Sequence, residues 1–313
     1  MINSLKPNLI VSDSRGAWFR ATILFILALI GTVGMWSVVV FIPDIEKEFG
    51  LDRGTSSLLY AFTMIGFGFG TVVIGKVYDK FGIKKPILLA TFVLITSYYF
   101  YSIFPFYWQF LILQFFMGFA ASAFFGPAMA DISNFFNKQR GFALSIVASA
   151  NYVAGATWPL LIGYFLTFID WRAAHFWISI CLFIMIPLIL LLKTASVDES
   201  KSHDMKQKYK DIKLDLSNNQ IQVLLMLAGI CCCVAMAMPQ VHMVALCVDN
   251  GFGLQVGTEI LAVMLYSGMI SRIVFGMISD RIGPVLTLLL LSLIHISEPT
   301  RLRRISYAVF CLK

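Results

Sequence analysis

GKVYDKFGIKK, Gly75 to Lys85, breaks an otherwise oily text with five charges in eleven residues. A near copy, GMISDRIG, stands at Gly276 to Gly283. Aligning Gly75 with Gly276 puts Asp79 on Asp280, Lys80 on Arg281 and Gly82 on Gly283, all at an offset of 201 residues. Each copy closes one long apolar run and opens the next, so a duplicated six-helix unit accounts for the pair. The glycines permit a tight turn and close helix approach. The aspartate can accept hydrogen bonds at a helix start and pair with a nearby cation. Gly75, Asp79, Lys80, Gly82, Asp280 and Arg281 are therefore expected to latch helices on one face and release them when they tilt. The plainer reading is a loop whose lysines and arginines only set orientation.

Working outward, the 313 residues are 59% hydrophobic and 13% charged, with a mean hydropathy of +0.82. Several apolar runs pass the roughly 18–20 residues that cross a hydrocarbon core. Lipid offers the backbone no hydrogen-bond partners, so these runs should be helices. The alternation of a membrane barrel is absent. The fold class expected is all-α integral membrane, with helices near 19–42, 55–75, 86–104, 108–131, 141–168, 172–193, 219–248 and 256–279, and a ninth from about Pro284. The first apolar run is too long for a signal-peptide core, so no cleaved leader is expected.

The six cysteines show no CxxC or Cys/His spacing, so no metal and no cofactor are expected. Gly66 to Gly70, GFGFG, lacks the lysine and strand–helix context of a phosphate loop and reads as close helix packing. The spans hold no paired acids or activated nucleophile, which argues against an enzyme.

Connections alternate in charge. One side holds Lys6, Arg15, Arg20, Lys76, Lys80, Lys84, Lys85, Lys138, Arg140, six lysines from Lys193 to Lys213, and Arg281; the other holds Lys47, Arg53 and Arg172. The positive-inside rule puts the amino terminus and both charged turns in the cytoplasm, for a multi-pass protein of the plasma (cell inner) membrane. The net charge of +7 reflects this asymmetry and needs no nucleic-acid partner. The expected organisation is a six-helix bundle over 1–193, a cytoplasmic linker over 194–218, a partial second bundle over 219–290 and a tail over 291–313.

The repeated turn resembles the signature that the major facilitator superfamily carries between helices 2 and 3, with its weaker echo between helices 8 and 9. The resemblance covers residues of about 15 to 290. It implies two six-helix bundles that rock about a central site, and hence a secondary active transporter. Finer features are similar to the monocarboxylate and oxalate/formate branch. These are GMWSVVVFIPDI with Trp36, Ser37 and Pro43, the run FFNKQRGFALSIVASANYVAG, Asp170-Trp171-Arg172, and YSGMISRIVFG with Arg272. That branch implies a small organic anion, a mono- or dicarboxylate, moved by alternating access with protons or a counter-anion as partner. The chain departs from the branch at Gly268, where animal members often place Asp, and has no first-helix Lys between Arg20 and Lys47. Gln114 stands where many proton-coupled members place Arg. An exporter or antiporter of amphipathic compounds and a non-transporting membrane sensor are the alternatives.

Arg272 is the one cation deep inside an expected span. An unpaired charge there costs at least a few kcal/mol, so it should face a cavity or a partner. Its donor fork suits a carboxylate; snorkelling or pairing with Asp280 is the other reading. Asn151, Tyr152, Tyr266 and Trp36 lie near mid-span as further substrate contacts, or as packing. His242 is expected to serve helix packing, and Asp131 to serve capping or a latch with Arg140.

The last run, LSLIHISEPTRLRRISYAVFCLK, brings Glu298, Pro299, Arg301, Arg303 and Arg304 into what should be a helix. It resembles a translated sequencing-library adapter around a three-codon index. Function is therefore expected to belong to a longer parent, with this tail outside it.

Overall fold

The computed structural model describes residues 13–192 and 217–297. They form helices and no strand. Seven described helical segments are long and apolar enough to cross a membrane. The expected linker, apart from Ser217 and Asn218, and the tail beyond Ser297 lie outside the described residues.

The first span is a pair, α1 (Arg15–Gly31) and α2 (Val33–Phe49). Thr32 breaks it. Its hydroxyl donates to the Ala28 carbonyl at 2.7 Å, a back-bond that bends helices. Gly31 lets Phe124 press in, since a Cβ there would sit 2.5 Å from the ring. Both ends run past the expected 19–42. With the start at Arg15, Arg20 lies well inside the helix rather than at its edge.

The second and third spans are α3 (Arg53–Phe81) and α4 (Lys84–Ile103). The fourth is α5 (Tyr107–Ala121), a 3₁₀ turn at Ser122–Phe124, and α6 (Gly126–Ser133). Pro127 explains the interruption, because a proline ring clashes with the carbonyl four residues back, here Ala123. The fifth is α7 (Arg140–Phe165). The sixth is α8 (Trp171–Cys181), a 3₁₀ turn at Leu182–Ile184, and α9 (Met185–Leu191). Pro187 meets Phe183 by the same rule. After the linker come α10 (Asn218–Asp249), α11 (Gly253–Ile282) and α12 (Pro284–Ser297). Ser217 and Gln220 close a reciprocal cap on α10.

The glycine run in α3 has a packing role. A Cβ on Gly66 would lie 2.0 Å from the Phe115 carbonyl oxygen, and one on Gly118 would lie 1.9 Å from that of Thr63. Backbones of α3 and α5 therefore touch. Gln114 fills the gap above, accepting from Thr63 at 2.8 Å. Gly68, between Gly66 and Gly70, faces open space, whereas a Cβ on Gly70 would lie 2.6 Å from the Phe119 carbonyl oxygen. Gly66→Ala is expected to destabilise the protein by about 1–3 kcal/mol through overpacking. Gly68→Ala should be neutral or stabilise, since alanine is the better helix former by about 1 kcal/mol. Thermal melts of the two variants in detergent check this; equal effects would refute the close approach.

Candidate functional site

The two copies of the charged turn share their backbone geometry. Gly82 and Gly283 end α3 and α11 at φ +72° and +87°, a region that disfavours any side chain with a Cβ. Each donates its N–H four residues back, to Tyr78 and Ser279. Their surroundings differ. Asp79 is exposed, and a Cβ on Gly75 would meet nothing within 4 Å. Lys80 and Arg281 are exposed too. Asp280, by contrast, reaches α7. Its Oδ1 accepts from the Gly141 N–H at 2.7 Å and its Oδ2 from the Phe142 N–H at 2.8 Å.

That contact answers a need of α7. A helix leaves its first N–H groups without intrahelical partners. The N-cap residue, Gln139, makes no side-chain cap. Asp280 supplies the cap from the other half of the molecule, and its charge faces the positive end of the helix dipole. Two glycines make the approach possible. A Cβ on Gly141 would lie 2.6 Å from Asp280 Oδ1, and one on Gly276 would lie 2.3 Å from the Ser145 hydroxyl.

The seam between α7 and α11 continues from there. One terminal nitrogen of Arg272 donates to the Ala148 carbonyl at 3.1 Å. The guanidinium carbon stands 4.4 Å from the centre of the Tyr152 ring, a cation–π contact. Gly268 leaves the room for that ring, since a Cβ there would sit 2.7 Å from it. An aromatic face from α7 thus stands beside the arginine, over Gly268. Further along, the Tyr266 and Thr157 hydroxyls are 3.1 Å apart. At the far end Gly163 lies against Thr258.

Arg272, Tyr152 and Tyr266 therefore share one seam. Asn151 turns the other way. Its amide oxygen accepts from the Trp36 indole at 3.0 Å. Trp36 is 4% exposed and lies flat against Gly155, so its ring is packed rather than open. Asp131 does not pair with Arg140. It forms a buried two-pronged pair with Arg20, Nε to Oδ2 at 2.5 Å and Nη2 to Oδ1 at 2.9 Å. The reason is the longer first helix, which carries Arg20 into the bundle beside α6. His242 is exposed. Arg140 keeps a buried Nε with no hydrogen-bond partner among the described residues. Outside the spans, the Thr55 hydroxyl and backbone N–H hold the Asp52 carboxyl below its usual range. Two polar contacts had no sequence signal, the Arg20–Asp131 pair and an ion pair between Arg53 and Asp249; Asp280 was expected to accept at a helix start, but not at that of α7.

Over residues 24–297 the chain matches the Major Facilitator Superfamily. It belongs to that superfamily. The MFS-type transporter pynF of Aspergillus niger is 27% identical over 221 residues, covering 68% of this chain and 49% of that protein. The agnestins efflux protein AgnL12 of Paecilomyces divaricatus is 24% identical, covering 78% of this chain and 56% of that protein. A bacterial member, the uncharacterized MFS-type transporter YdgK of Bacillus subtilis, is 25% identical over 180 residues, with 55% and 44% covered. The chain spans about half the length of the first two relatives.

Asp280→Asn keeps an acceptor but removes the charge facing the helix dipole, an effect of about 0.3–2 kcal/mol. The seam at its charged end is expected to loosen. A cysteine placed at Ser145, 7% exposed in the closed seam, should then react faster with a soluble maleimide. An unchanged rate would show that the cap does not hold the two halves together.

Proposed function

We propose that the protein is a secondary active transporter of a small organic anion, a mono- or dicarboxylate, working by alternating access. The observation that supports this reading is Arg272. It lies within a membrane-spanning helix, half-buried, in the seam where the two halves meet. One of its donors meets a backbone carbonyl, and no carboxylate pairs with it among the described residues. A guanidinium has five N–H donors. In a medium that penalises bare charge, the rest suit an anionic ligand held in two-pronged fashion. Tyr152 and Tyr266 flank it as further contacts, with Asn151 and Trp36 fixing the adjacent turn of α7. Protons or a counter-anion would complete the cycle.

The two charged turns are the gate of this scheme. Asp280 holds α7 closed. Asp79, with Gly75, Lys80 and Gly82, presents the same shape without a partner among the described residues, and is proposed to engage the second half in the same way. Both turns are assigned to the cytoplasmic face of the plasma (cell inner) membrane, with the amino terminus. The tail from Leu291 is assigned no part in transport.

The names of two relatives favour a second reading. The agnestins efflux protein and the fujikurins efflux protein are similar to this chain, the latter 32% identical over 97 residues. Outward movement of a larger amphipathic compound would use the same seam. Arg272→Gln separates the readings. Carboxylate flux in proteoliposomes is expected to fall at least about a hundredfold, with Arg272→Lys retaining part of it because charge survives without the fork. Undiminished carboxylate flux would reject the assignment; intact flux of neutral amphipaths alone would support efflux. Asp79→Asn should slow turnover far more than it weakens equilibrium binding, and equal losses in both would count against a gate.

A further inference from the structure

The halves also meet at the opposite end of the spans from Asp280. The turn between α2 and α3 is closely tied. Asp52 caps α3, accepting from the Gly54 and Thr55 N–H groups. Glu46 accepts from the Ser56 hydroxyl and lies 3.4 Å from Arg53 Nε. The Tyr107 hydroxyl donates to the Thr55 carbonyl. These contacts fix the root of Arg53 and leave its tip directed at the other half. There Nη2 reaches both oxygens of Asp249, at 2.7 and 2.9 Å. Asp249 is the last residue of α10. Among the described residues this is the one ion pair joining the first six spans to α10–α12.

The repeat offset adds a second observation. Shifted by 201 residues, Asp249 falls on Glu48. Glu48 stays within its own half, accepting from Arg172 at 2.6 Å and from the Trp171 indole at 2.7 Å. The equivalent acid of the second unit is turned across the divide instead.

The cross-half contacts at the two ends of the spans differ in kind. The inner one sets a carboxylate on backbone N–H groups among glycines that bring backbones together. The outer one joins side chains that are 34% and 56% exposed. Water competes for such a pair, which shifts an equilibrium by no more than about fivefold. It suits a closure that must reopen.

We propose that Arg53 and Asp249 form the releasable outer closure of the transport cycle, made while both faces are shut and broken as the outer ends of α3 and α10 part. This rests on the alternating-access reading above. Thr258 is the natural reporter. It is fully buried at the outer end of α11, against Gly163 of α7. In sealed vesicles, Thr258→Cys should react slowly with a membrane-impermeant maleimide applied from the outer side, read by peptide mass at residue 258. Arg53→Ala and Asp249→Ala should each raise the rate by up to about fivefold. The reversed pair, Arg53→Asp with Asp249→Arg, should bring it back. No change in either single variant, or a rise that reversal fails to correct, would overturn the proposal. Should Thr258→Cys not insert, deuterium uptake over residues 246–258 serves instead, faster in Asp249→Ala if the closure is real and unchanged if it is not. Arg272→Gln leaves this readout untouched, so failure of the carboxylate assignment cannot imitate failure of the closure.

Discussion

Hydrocarbon offers no partner to a polar group, and nearly every feature of this molecule follows from that refusal. Backbone groups are satisfied within helices, so the chain can only cross as helices. Charges are pushed to the ends of spans or paired inside the protein. Arg20 and Asp131 illustrate the second solution, each nine-tenths buried and bound to the other by two hydrogen bonds. Removing one partner of such a pair costs about 3–5 kcal/mol, because the other is left bare. Arg272 is the case that is only partly solved, with one carbonyl and one aromatic ring. A charge kept inside a membrane with no carboxylate paired to it among the described residues is the strongest local reason to look for a charged ligand.

The same refusal makes backbone-to-backbone contact valuable between helices. Between α3 and α5 the glycines let carbonyls touch the neighbouring helix, which gives a fixed pair inside one half. Between α7 and α11 glycines line the charged end of the seam, but the polar closure there is a single aspartate on a helix start. A carboxylate on two N–H groups is directional and reversible. The first half therefore holds at least one closely fixed helix pair and meets α10–α12 through contacts of moderate strength, a combination that would suit the rocking motion proposed above.

Much of this was legible in the residues. The turn at Gly75–Lys85 and its copy at Gly276–Gly283 predicted a repeat, and the positive φ of Gly82 and Gly283 shows the same backbone turn in both. Apolar runs placed the spans, though not the breaks at Thr32, Ser122–Phe124 and Leu182–Ile184. Those depend on where Phe124, Pro127 and Pro187 meet their neighbours. The partner of Asp280 was hidden because Gly141 and Phe142 contribute only backbone N–H groups, which no side-chain pattern announces. The Arg20–Asp131 pair joins residues 111 apart in the chain, and Arg20 read as a flanking charge until α1 was seen to start at Arg15. Trp36 read as a substrate contact or as packing, and it is packed. Its position against Gly155 depends on the angle between α2 and α7, which the sequence does not encode locally.

Alternating access as proposed requires the two charged turns to be equivalent ends of repeated units. Cysteines at residues 79 and 280, probed with an impermeant maleimide in right-side-out and inverted vesicles, test that most directly. Both should react only in inverted vesicles, as residues on one cytoplasmic face must. Reaction of one from each side of the membrane would contradict the repeat, the gate and the transport cycle built on them.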